Sequence, residues 1–310
     1  MAQRILLTGG SGMVGSNIIE NANSTSFELI APTSSEMNLM DENSVKNAFL
    51  KYKPDTVVHS AGLVGGIQAN IANPVEFMVK NVDIAKNIIL TSQEFGVERF
   101  LNIASSCMYP RDASNPLKPE MILKGELEPT NEGYALAKIY STRLCGYMSM
   151  QYGLNYKTII PCNLYGRFDK FGEHNSHLIP AIIKKIYDAK AKGSRKIEVW
   201  GSGNVRREFL YAADLANFIF YSLTNYEKIE PIINVGYGKD YTINEYYTRV
   251  SEVLNWPIEM MHDLAKPEGM KQKFVCNENA LKKGWRPKTN LSEGISQTID
   301  YYIERVRDVY

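Results

Sequence analysis

An α/β fold built on a doubly wound parallel sheet, with a smaller α/β domain following it, is what this sequence predicts, on three observations. Arg4 to Thr8 is a short apolar run that leads directly into Gly9-Gly10-Ser11-Gly12-Met13-Val14-Gly15 and then a helical pattern. Two further strand-like runs, Thr56-Val57-Val58-His59-Ser60-Ala61-Gly62 and Phe100 to Ala104, alternate with helical stretches, the signature of a sheet covered on both faces. At 310 residues the chain can bury a sizeable core and form one large domain or two interleaved ones.

Composition narrows the partners. With 44% hydrophobic and 22% charged residues and a net charge of +1, the chain has no global field to draw nucleic acid or an anionic membrane, so any anion must be met by local groups. The opening MAQRILLTGG carries neither a long apolar span nor a small-residue cleavage site, and a cytoplasmic setting is the expectation. Cys107, Cys145, Cys162 and Cys276 lack metal-type spacing and read as free thiols, with no metal expected.

Taken in order, the first strand and its glycine turn let backbone N–H groups approach a pyrophosphate at the positive end of a helix, which makes the sheet Rossmann-type and Gly9 to Gly15 the cofactor-binding candidates. The second strand is expected over Phe27 to Ala31. At its end, where an acid selects a free ribose 2′-hydroxyl and a base a 2′-phosphate, the chain has Pro32-Thr33-Ser34-Ser35, so NAD and NADP both remain open on the residues. Asn38 to Asp41 is expected to begin a helix, and Asn81 to Phe95 to form one with Val82, Ala85, Ile88, Ile89 and Ser92 on one face. His59, at a strand end, reads as a structural hydrogen-bonding residue.

After the Phe100 to Ala104 strand come Ser105-Ser106-Cys107, at the strand end where substrates of open α/β sheets lie. If the segment continues extended, side-chain alternation puts Ser105 and Cys107 on one side. Asn131 to Tyr140 then reads NEGYALAKIY. In a helix, Tyr134 and Lys138 share a face one turn apart, and the ammonium is expected to lower the phenol pKa so that it can exchange a proton with a carbonyl oxygen. Ser105 can hydrogen-bond the same oxygen.

The glycine turn, the serine after a strand and the Tyr134/Lys138 pair resemble the extended short-chain dehydrogenase/reductase family. SSCMYP at 105 to 110, GELEPTNEGYALAK at 125 to 138, PCNLYG at 161 to 166, NSHLIPAIIKK at 175 to 185 and VWGSGNVRREFL at 199 to 210 are similar to the members of that family that convert GDP-4-keto-6-deoxy-D-mannose to GDP-L-fucose. The resemblance spans nearly the whole chain and implies 3,5-epimerisation and 4-reduction with NADPH. It makes Ser105, Cys107, Tyr134, Lys138 and His177 catalytic, with Tyr134 the proton donor in reduction, Cys107 the base and His177 the acid of epimerisation. His174 competes with His177, and the NSH motif favours the latter. The resemblance adds Lys138, Asn163, Leu164 and His177 as cofactor contacts, and Ser105, Ser106, Cys107, Tyr134, Lys185, Trp200, Arg207 and Lys273 as contacts to a GDP-sugar. Leu178 is expected to touch guanine through its backbone. The related reading is a 4-keto reductase or an epimerase on another nucleotide sugar.

Phe274-Val275-Cys276 departs from the family pattern, in which an aspartate follows the lysine. The cofactor domain is expected over 1–165, rejoined by 207–225, with 166–310 mainly binding substrate in a cleft between the two. Thr242 and Glu245 have capping-box spacing. The family's homodimers, formed through a helix bundle, suggest the same assembly here.

Overall fold

The computed structural model of the chain describes residues 2–21, 27–172, 176–266 and 269–305. Strands β1 (Arg4–Thr8), β2 (Glu28–Ile30), β3 (Thr56–His59), β4 (Arg99–Ile103) and β5 (Asn155–Pro161) alternate with helices α1 (Met13–Glu20), α2 (Glu42–Tyr52), α3 (Ile67–Ala72), α4 (Pro74–Glu94) and α5 (Glu132–Tyr152). There follow β6 (Asn163–Tyr165), α6 (Leu178–Ala191), β7 (Lys196–Trp200), β8 (Arg206–Tyr211), α7 (Ala212–Thr224), β9 (Ile232–Val235), β10 (Asp240–Thr242), α8 (Ile243–Val253), β11 (Glu259–Asp263), β12 (Gln272–Lys273), α9 (Glu278–Lys282) and α10 (Leu291–Arg305).

The main sheet has the order β2-β1-β3-β4-β5-β9, with every neighbouring pair parallel. Its strands are apolar on both faces because helices cover both. Ile5, Leu7, Val58 and Leu101 point into a core that includes Ile18 of α1 and Leu215 and Ile219 of α7. Leu6, Val57 and Phe100, one residue out of phase, point into the opposite core with Phe49 of α2 and Ile88 of α4. The chain reverses direction across the sheet between β1 and β3, so the crevice at their carboxyl ends is the topological switch point where such sheets bind ligands.

A second sheet, β10-β8-β12 with β6 also on β8, lies beyond β5, and β11 pairs with β7. Its core is filled by Ile179, Ile182, Ile183 and Ile186 of α6 against Phe209, Tyr246, Ile295 and Tyr302. Burying each of these isoleucines is worth about 1.5–3 kcal/mol. The Arg207 to Asn225 stretch divides: β8 belongs to the second sheet, whereas α7 packs on α1 beside the first.

Local chemistry explains where elements begin. Asp41 caps α2 by accepting the Asn43 N–H, so the helix starts at Glu42 and the Asn38–Asp41 segment is the turn before it. α4 starts at Pro74, seven residues before the expected Asn81, because proline suits a first helical turn. Thr242 and Glu245 form the capping box of α8, through Glu245 N–H to Thr242 Oγ1 at 3.1 Å and Thr242 N–H to Glu245 at 2.6 Å.

Candidate active site

The glycine turn follows β1 at the switch point. Gly9 has φ +74°, and a Cβ there would lie 2.7 Å from the Ala61 nitrogen, so the turn and the loop after β3 approach by backbone alone. A Cβ on Gly15 would meet the Gly9 carbonyl at 2.1 Å, which lets α1 start directly beneath the turn. Ser11 and Gly12 are exposed, while Met13 and Val14 open the helix. These positions can hold a dinucleotide pyrophosphate at the helix N-terminus. Beyond β2, Thr33 gives both its N–H and its hydroxyl to the Glu36 carboxylate, at 2.8 and 2.9 Å. His59 is buried, its Nδ1 2.8 Å from Thr8 Oγ1, and burial lowers its pKa to about 3, so the ring is neutral and structural.

Ser105, Cys107, Tyr134, Lys138 and Lys273 converge at the carboxyl end of β4. The segment after β4 is not extended: Ser106–Met108 is a 3-10 turn, capped by Ser105 Oγ, which accepts the Cys107 N–H at 3.3 Å. The cap replaces side-chain alternation as the reason Ser105 and Cys107 lie together. The Ser105 hydroxyl also hydrogen-bonds the Tyr134 phenol and the Cys107 thiol. Ser106 is buried in the same turn.

Tyr134 and Lys138 lie one turn apart on α5, with Nζ 5.7 Å from the ring centroid. The phenol pKa is nevertheless raised, not lowered: desolvation dominates, the neighbouring Cys107 adds to it, and only the Ser105 hydrogen bond opposes. The Lys138 ammonium donates to the Ile103 carbonyl at 3.0 Å, and burial brings its own pKa down to about 8. Tyr134 therefore stands protonated, as a donor. Burial pushes the Cys107 thiol up as well, opposed chiefly by the Lys273 ammonium.

His177 is the N-cap residue of α6, and its Nδ1 lies 3.2 Å from Asp169 Oδ1. Its hydrogen-bond and charge partners among the described residues are Asp169 and Lys170, which sets it apart from the Ser105–Cys107–Tyr134 cluster. His174 lies outside the described residues.

On the second sheet, Trp200 is 38% exposed, an open ring rather than core. The ammoniums of Lys185 and Lys266 lie 5.7 and 5.3 Å from its centroid. Lys185 also donates to the Glu198 carbonyl. Arg207 donates from Nη1 to the carbonyls of Arg206 and Met270. Lys273 is in β12, paired with Arg207 of β8. Asn163 opens β6 and donates to the Glu208 carbonyl at 3.0 Å, with Leu164 next in the strand. Leu178 is the first residue of α6.

Three residues were not singled out from the sequence. Asp169 partners His177, and Lys266 joins Trp200. Glu208 is fully buried and accepts the Val275 and Gly238 N–H groups at 3.0 and 2.7 Å, which clips the β12 segment to the sheet. The signal for Glu208 was its place beside Arg207 in the RREFL run; Asp169 and Lys266 had none. A cavity of about 590 Å³ opens at the amino ends of β1, β3 and β4, lined by Arg4, Asp55 and Arg99, and includes none of the residues above. Among the described residues no group of His, Cys, Asp and Glu side chains is arranged to hold a metal, and no helix is long and apolar enough to cross a membrane.

Residues 5–236 match the family described as NAD dependent epimerase/dehydratase. The chain is 47% identical to a GDP-L-colitose synthase of Yersinia pseudotuberculosis, covering 97% of this chain and 98% of the relative. It is 44% identical to a GDP-L-fucose synthase of Azorhizobium caulinodans, covering 97% and 96%. Among solved structures, a Campylobacter jejuni GDP-mannoheptose C4 reductase with NADP bound superposes with a TM-score of 0.86 at 29% identity, over 97% of this chain and 98% of that one.

Proposed function

The chain belongs to the NAD dependent epimerase/dehydratase family, and from that premise we propose that it converts a GDP-bound 4-keto-6-deoxy sugar, by epimerisation beside the carbonyl and reduction at C4 with NADPH, to GDP-L-fucose. The observation that carries this reading is the Ser105 hydroxyl bonded to both the Tyr134 phenol and the Cys107 thiol. One side chain thus joins a proton donor for oxygen to a base for carbon.

Hydrogens at C3 and C5 are acidic because each lies beside the C4 carbonyl. Removing one leaves an enolate whose charge falls on O4, where Ser105 and protonated Tyr134 can hold it. Cys107 is the base, with Lys273 favouring its thiolate, and His177 the acid on the opposite face. The cofactor supplies hydride to C4 when bound. Tyr134 then gives its proton to O4, and Lys138 stabilises the phenolate left behind.

Gly9 to Gly15, Asn163 and Leu164 are the cofactor contacts in this reading. NADP is supported by the structural relative that contains it, and NAD remains the alternative at the Thr33–Glu36 end. Lys185, Trp200, Arg207 and Lys273 serve the GDP end, with Lys266 added. The cofactor sits on 1–165, rejoined by α7 and by β9 of the main sheet, and the sugar nucleotide on the rest of 166–310. A homodimer through α4 and α5 is supported by their exposed apolar side chains. The four unpaired cysteines support a cytoplasmic setting.

The relative named for colitose favours a second reading. Colitose is 3-deoxyfucose, so its substrate has no C3 hydroxyl to invert and needs epimerisation at C5 only. Product analysis after incubation with NADPH in D₂O separates the two. Deuterium at C3 and C5 of GDP-L-fucose supports the first; turnover of only the 3-deoxy ketone, labelled at the epimerised C5, supports the second. Reduced product without deuterium at either carbon would sink both epimerase readings and leave a plain reductase.

A further inference from the structure

Resting on the epimerase reading, we propose that Asp169 is the positioning residue of His177: it grips Nδ1 and so leaves Nε2 as the nitrogen that hands a proton to the substrate carbon. The geometry is built for this. Asp169 Oδ1 accepts the Lys170 N–H at 2.8 Å and lies 3.2 Å from His177 Nδ1. The Asp169 side chain is only 3% exposed, and its Oδ2 is buried with no partner among the described residues. A carboxylate is rarely buried so incompletely satisfied without a charge to face.

The turn that carries it is held from two sides. Phe168, just before it, has φ +67°, a left-handed conformation unfavourable for a bulky residue and of the kind retained where surrounding structure enforces it. Its ring packs on Tyr301 of α10 at 5.1 Å, and Phe171 packs on Tyr302 at 4.8 Å. On the cofactor side, Asn17 of α1 donates to the Arg167 carbonyl at 3.2 Å, and Glu20 pairs with the Arg167 guanidinium at 3.0 Å. The carboxylate is thus fixed against both the cofactor helix and the C-terminal helix.

The charges around His177 make Asp169 decisive. Burial, the Lys170 ammonium and the positive end of α6, on which His177 sits, all disfavour an imidazolium. Among the described residues Asp169 opposes them, and the ring pKa is raised above 6.5. In the step proposed, the enolate carbon's electron pair takes the Nε2 proton, the N–H bond breaks as the C–H bond forms, and the carbonyl is restored. The ring is left as the neutral Nδ1–H tautomer, whose remaining hydrogen still points at Asp169. Solvent reprotonates Nε2.

The test compares the wild type with Asp169→Asn, using NMR titration of the His177 ring, assigned by difference from His177→Gln. The wild-type midpoint should lie above 6.5 and fall below it in Asp169→Asn. Epimerisation in the variant, read as solvent deuterium retained in inverted product, should drop at least tenfold near pH 7, with reduction of an already inverted 4-ketone unchanged within about twofold. An unmoved midpoint, or equal loss of both reactions in a folded variant, overturns the proposal. If Asp169→Asn does not fold, the wild-type titration decides: a midpoint above 6.5 supports the pair and one at or below it overturns it. Should the wild type process no GDP-linked 4-ketone at all, the functional reading fails, while the titration still judges Asp169.

Discussion

Cys107 shows why the proposed base is conditional at the scale of one residue. It is 5% exposed, and burial keeps its thiol protonated at rest, while the Lys273 ammonium pulls the other way. Epimerisation should therefore climb about tenfold per pH unit below the His177 midpoint, where the thiolate fraction grows and the acid stays charged, and level off between that midpoint and the thiol pKa, where the two fractions change in opposite directions. Hydride transfer to an already inverted ketone should stay flat below about pH 7.5, since Tyr134 remains protonated there and Lys138 changes charge only near 8. Cys107→Ser should lower deuterium incorporation by about 10²–10⁴ and spare the reduction, as a chiral product assay with pre-inverted ketone would read. Parallel pH profiles for the two reactions would contradict this division. That these residues come together was legible because they sit in short motifs: a serine and a cysteine after a strand, a tyrosine and a lysine one helical turn apart. The direction of the phenol pKa was not legible, because i,i+4 spacing gives the neighbour but says nothing of the water excluded around it. Asp169 and Lys266 were equally hidden, since their partners are brought to them by folding across undistinguished sequence.

Among the elements, β12 is the least self-sufficient, a two-residue strand whose place is set by others. Phe274 and Cys276 beside it exchange backbone hydrogen bonds with Leu117, and Glu208 holds the Val275 N–H. No periodicity marks two residues as a strand; the capping box of α8, a purely local signal, was found as read. The clip has a measurable signature. Burial raises the Glu208 pKa from 4.5 to about 7. A carboxyl whose pKa is higher folded than unfolded binds more proton in the native state between those values, so its contribution to stability is full below 4.5 and is lost as pH rises through 7. That change amounts to about 3 kcal/mol. Glu208→Gln should remove this slope from denaturant midpoints measured across the window. It should also raise KM for the GDP-sugar more than it lowers kcat, because the strand bearing Lys273 loses an anchor. A variant with the wild-type pH slope would show that Glu208 is not the titrating group.

For the whole molecule, the parallel sheet was readable from glycine turn and buried runs, but not the identity of its last strand. β9 closes the sheet beside β5 only because the chain returns after β8 and α7, a long-range choice that local pattern does not encode. The same limit applies to what covers the outside. Along α4 and α5, which pack on each other, Val75 is 71% and Met150 78% exposed, with Met78, Val79, Leu90 and Tyr147 also open to solvent. An apolar surface on two adjacent helices is expected to be buried by a second copy, and a two-fold arrangement lets the same patch serve both partners. A stable dimer of this kind needs about 1,200–2,000 Å² of buried surface, within reach of two 21-residue helices per copy. Light scattering at about 10 μM should give twice 35.0 kDa for the wild type. Val75→Glu combined with Val79→Lys should shift it to 35.0 kDa while leaving the circular dichroism spectrum unchanged, since both side chains already face water in the single chain. A wild type that is monomeric at that concentration would exclude the helix pair as an interface, and a dimer indifferent to both substitutions would place the contact elsewhere.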